Sequence, residues 1–141
     1  MKLRTLLRLV PLAAFVAGCS HLDVSAPGSE DRVLKGMITY NLDAALPADA
    51  VVTVRVIDAA NPAGPLNLLG EATLPHPGPP PIPFQVEYRA SDDQLMHQVT
   101  VDVRISFGGK LQFHSVGGNP VTLGNFDDTH VIKVEAAGGR W

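Results

Sequence analysis

The chain has 141 residues, 45% of them apolar, with a formal net charge of −3. One cysteine excludes an intrachain disulfide and any multi-cysteine metal site. The acid excess argues against binding nucleic acid and against electrostatic attachment to anionic head groups.

In chain order, Lys2, Arg4 and Arg8 form a basic start, and Leu9 to Ala17 is a short apolar run. Such a run falls well below the roughly 20 residues that span a bilayer and has the layout of an export signal. Val16-Ala17-Gly18-Cys19 follows at once and resembles the lipobox of bacterial lipoproteins. The resemblance implies that residues 1–18 are a signal peptide and that Cys19 becomes an acylated N-terminus. Ser20 in place of Asp resembles an outer-membrane address in enteric-type bacteria. Cleavage would remove three of the eleven Lys and Arg and no acid, leaving eight against fourteen Asp and Glu, a net charge of −6. Acyl chains contribute about 0.8 kcal/mol per buried CH₂, so two or three of them suffice for stable anchoring. The expected location is the outer membrane, with the domain facing the periplasm.

Residues 19–32 read as the lipidated N-terminus and a flexible tether punctuated by Pro27 and Gly28. From Val33 the apolar period is two. Leu34, Gly36, Ile38, Tyr40 and Leu42 form one series, and Val52, Val54 and Val56 a second. Leu68 to Leu74 is a weaker run, followed by a segment holding Pro75, Pro77, Pro79, Pro80, Pro81 and Pro83, which reads as an extended connection or an edge. Ile82, Phe84, Val86 and Tyr88 alternate next, and Asp92 to His97 is a short helical turn. Val99, Val101, Val103, Ile105 and Phe107 are the clearest strand, joined through Gly108-Gly109 to a hairpin partner with Leu111 and Phe113. Ile132 and Val134 supply a final strand that closes the sheet. Alternation of this kind sets one face on a core and the other in water. The expected fold is all-β, an antiparallel β-sandwich or small barrel of seven to eight strands, over residues 33–141.

No catalytic constellation emerges. His21, His76, His97, His114 and His130 lack metal-site spacing, and there is no HExxH, GxSxG or SxxK. Asp127, Asp128 and His130 are the nearest approach to a cation site, yet their neighbours are those of a turn before a strand. Glu71 and Glu87 are carboxylates on separate strands, and the alternation places Glu87 on a solvated face. A non-enzyme without metal or cofactor is expected.

Three stretches carry a family resemblance. Gly36-Met37-Ile38-Thr39-Tyr40, then Ala45-Leu46-Pro47 through Val54, then Asp58, is similar to the opening of the YbaY/YscW lipoproteins. Leu69-Gly70-Glu71, Pro81-Ile82-Pro83-Phe84 and Tyr88 resemble the middle of that family, and Val101 to Ser115 its final hairpin. The resemblance covers residues 33–115.

It implies a pilotin-like lipoprotein, which escorts a secretin or another outer-membrane or secretion-system protein by non-covalent binding. General envelope lipoproteins without a secretin client, and inhibitors or ligand-binding modules for periplasmic enzymes or glycans, are the alternatives that such a chain leaves open. The partners expected are the membrane, through Cys19, and an envelope protein. Ile57, Leu95 and Met96 are apolar outside the inward alternation and are the candidate partner-binding residues.

Overall fold

A computed structural model describes residues 28–41, 45–60 and 67–138. Cys19, residues 20–27 and Trp141 lie outside the described residues. The elements are β1 (Glu30–Thr39), β2 (Val51–Asp58), β3 (Leu68–Pro75), β4 (Ile82–Ala90), α1 (Asp92–His97), β5 (Val99–Phe107), β6 (Lys110–Ser115), β7 (Asn119–Val121) and β8 (Thr129–Ala136). The sheet runs β3-β2-β5-β6-β8-β1-β4, with β7 paired to the first residues of β5. It curls into a nearly closed, barrel-like sheet that lacks only a ladder between β3 and β4, in keeping with the expected all-β sandwich or small barrel.

One pairing departs from the antiparallel expectation. β8 runs parallel to β1, with Met37 opposite Val131 and Ile38 opposite Ile132. All other strand pairings among the described residues are antiparallel. The parallel pair falls between the first and last strands of the chain, which need no direct crossover.

Local chemistry explains several elements. Gly108 and Gly109 both take positive φ, as a two-residue hairpin turn requires, and they join β5 to β6. α1 starts at Ser91, whose hydroxyl accepts from the Gln94 N–H while the Gln94 side chain accepts from the Ser91 N–H. Removing that cap with Ser91→Ala will lower stability by about 0.5–2 kcal/mol in urea unfolding. An unchanged midpoint would mean that α1 does not depend on its capping box.

Two expectations are corrected at this end of the barrel. Glu30, Asp31 and Arg32, which read as tether in the sequence, are strand, opposite Ala90, Arg89 and Tyr88. Their charges are taken up locally: Arg32 bonds Glu30 and Asp92 and lies 4.7 Å from the Phe126 ring centroid, while Arg89 bonds Asp31. Leu95 is not a surface residue. It is 1% exposed, because the short helix lies across the barrel end and turns this side chain into the core.

The interior follows the period-two pattern. Leu34 and Ile38 of β1, Val52, Val54 and Val56 of β2, Phe84 and Val86 of β4, and Val101, Val103 and Ile105 of β5 form one buried cluster with Ile132 and Val134. Tyr40, Phe107 and Phe113 pack as tilted aromatics, with ring centroids 5.8 and 6.4 Å apart. The filling is tight where glycines stand. A Cβ at Gly36 would meet the His130 carbonyl and lie 2.5 Å from the Phe84 ring.

Candidate functional site

The barrel interior is occupied by side chains, so any recognition must use the outside or the ends. Three places carry the chemistry.

The first is the α1 end, where β1 begins and β2 finishes. Asp58 accepts from the Gln94 side chain, and Asp58 and Gln94 share a shallow depression with Asp93 and His97. Met96 stands out from α1 at 59% exposure. Tyr88 is buried nearby, and its hydroxyl has no hydrogen-bond partner among the described residues. Burial pushes it above the ordinary tyrosine value; Arg32 opposes that shift and Asp127 adds to it. The phenol is therefore neutral throughout the physiological range.

The second is the loop before β8. Thr122 donates its N–H to the Asn125 side chain, Phe126 and Asn125 donate to the Thr122 carbonyl, and the His130 ring reaches the Asn125 carbonyl at 3.0 Å. Asp127 and Asp128 thus belong to a folded turn, and His130 stands at the start of β8 with its ring on that turn. Among the described residues, no three His, Cys, Asp or Glu side chains converge as a metal site would need.

The third is the outer surface of β8, β1 and β4. Register sets Val131, Met37 and Pro83 side by side in one row across the three strands, with Thr129, Lys35 and Gln85 in the next. Met37 is 37% exposed and Val131 67%. A shallow groove runs here between Lys35, Met37, Pro83 and Gln85, reaching Leu74 at the β3 side. Ile57 lies elsewhere, half-buried on β2 opposite Leu68 and Thr100. The structure therefore does not bring Ile57, Leu95 and Met96 together as one surface.

Sequence reasoning missed the Met37–Val131 row. Each residue occupies an outward position in an alternating strand and reads singly as an ordinary exposed apolar. Only the parallel β1–β8 register makes them neighbours.

The described residues thus form a small, nearly closed β-barrel with apolar side chains exposed on its outer face. The chain belongs to the type III secretion system lipoprotein chaperone (YscW) family, whose family model matches residues 29–134. A solved structure described as an alternative pilotin from the type II secretion system of Vibrio cholerae shares the fold. The TM-score is 0.62 and the identity 23%, over 78% of this chain and 100% of that one. No curated protein gives a significant match.

Proposed function

We propose that this protein is a lipid-anchored escort of the outer membrane. It holds a secretion-system protein such as a secretin by non-covalent contacts and performs no turnover. The family match over residues 29–134 carries the reading, since it spans almost all of the described domain and its family is one of lipoprotein chaperones. The Val16-Ala17-Gly18-Cys19 box supports it independently, as such a chaperone needs an address.

The division of labour follows from physical chemistry. Acyl chains on Cys19 supply permanent membrane affinity, and the barrel supplies a rigid surface. Confining escort and client to one membrane raises their effective concentration, so modest intrinsic affinity is enough. Intact mass spectrometry of membrane fractions will find a chain beginning at Cys19 with acyl groups attached. A soluble, unmodified chain starting elsewhere would remove the anchor from the proposal. Cys19→Ala will release the protein from the membrane while leaving the barrel folded, because Cys19 lies outside the matched residues.

A further inference from the structure

A lipid anchor at Cys19 limits which part of the barrel can meet the membrane. Residues 20–29, ten in all, separate Cys19 from β1. A random coil of that length has an r.m.s. reach of about 16–19 Å, and no chain of that length exceeds about 36 Å. β1 starts at the α1 end of the barrel, and its own ten residues rise about 33 Å, or about 25 Å of barrel height at the usual strand tilt. Bringing the opposite end, with the Gly108-Gly109 turn, to the bilayer would stretch the connection well past its r.m.s. reach. The α1 end lies within it.

That end also carries exposed apolar tips. Met96 on α1 is 59% exposed, and Leu123, in the turn after β7, is 39% exposed. The two segments form one cap. Val121 of β7 lies opposite Val99, the residue that opens β5 just after α1, and Arg32 bonds Asp92 of α1 while lying over the Phe126 ring of the turn. Leu95 and Val121 are buried beneath, so Met96 and Leu123 project from a packed base. The rim of this end is acidic: Glu30, Asp31, Asp92 and Asp93 hold largely exposed carboxylates, which Arg32 and Arg89 offset only in part. Anionic head groups repel such a rim, whereas the ammonium of a zwitterionic phospholipid matches it.

We propose that the α1 end is the membrane-facing end of the anchored domain. Met96 and Leu123 enter the head-group layer of a zwitterionic phospholipid surface, and the rim carboxylates lie beside its ammonium groups. The contact is weak by itself and is sustained by the anchor, which holds the domain at high effective concentration over the bilayer. The inference rests on the anchor reading above and adds to it an orientation and a lipid chemistry.

The full-length acylated protein, reconstituted in vesicles of phosphatidylcholine and phosphatidylethanolamine, tests it. Acylation blocks the native thiol, so a cysteine introduced by Met96→Cys, Leu123→Cys, Leu111→Cys or Val131→Cys takes a fluorophore at that position alone. Leu111, beside the Gly108-Gly109 turn, and Val131, on the barrel side, are the exposed controls. Lipids with a nitroxide at the head group are expected to quench probes at 96 and 123 several-fold more strongly than probes at 111 and 131. Adding phosphatidylglycerol will weaken that quenching at low salt, and raising the salt will restore it. Quenching that ignores phosphatidylglycerol would overturn the lipid chemistry. Quenching equal at all four positions, or strongest at 111 or 131, would overturn the orientation. No quenching at any position would overturn the membrane contact. In each of these cases flotation of the protein with the vesicles leaves the anchor reading standing. A chain that does not float with them would overturn the anchor reading and this inference with it. Thermal unfolding of each variant establishes that the barrel is intact.

Discussion

Leu34→Ala will destabilise the domain by about 2–5 kcal/mol, while Met37→Ala, on the same strand, will change stability by no more than about 0.5 kcal/mol. Leu34 is fully buried among β-strand side chains, so truncation loses apolar burial and leaves a cavity that the surrounding strands close only in part. Met37 faces outward, and its truncation costs little packing. Since a domain of this size is stable by about 5–15 kcal/mol, the first loss would be a large fraction of the total. Urea unfolding of both variants gives the comparison. Equal shifts would show that β1 is out of register by one residue, which would move its whole apolar set to the other face.

Gly70→Ala will be costly for a different reason. β3 and β4 are the two ends of the strand order, and they meet at this glycine. A Cβ there would meet the Glu87 carbonyl and stand 2.6 Å from the Tyr88 Cβ and 2.8 Å from its Cα. These are backbone and near-backbone atoms that cannot rotate away, so the strands must separate. The expected destabilisation is at least about 1–3 kcal/mol, the usual range for overpacking. Gly118→Ala, at a position with open space and no positive φ, is the matched control and will be near neutral. If Gly70→Ala proves as mild as Gly118→Ala, the seam is looser than described, and the barrel is an open sheet at β3 and β4.

Much of this architecture can be read from residues alone. Val52-Val54-Val56, Phe84-Val86 and Val101-Val103-Ile105 alternate so cleanly that both strand and inward face follow, and all eight belong to one cluster. Gly108-Gly109 marks its own turn. What escapes is set by long-range closure. β7 has three residues, one of them Pro120, and carries no alternation of its own; it is a strand because β5 holds it. Glu30-Asp31-Arg32 looks like linker because, beyond the Arg32–Glu30 pair, its polarity is offset by partners distant in sequence, Asp92, Phe126 and Arg89. Leu95 looks exposed because a six-residue helix is too short to show a periodic face, yet it plugs the barrel end. The candidate face is the extreme case, since Met37 and Val131 come from opposite ends of the chain and only strand register joins them.

The stability variants test the scaffold; the escort role needs the membrane. The most direct measurement is the distribution of secretion-system proteins between density-separated inner and outer membranes. It is made in cells lacking this chain and in cells restored with wild type or Cys19→Ala, with quantification by mass spectrometry. The account predicts that one such protein leaves the outer-membrane fraction when the chain is absent, returns with wild type, and does not return with Cys19→Ala. An identical distribution of those proteins in all three strains would contradict it.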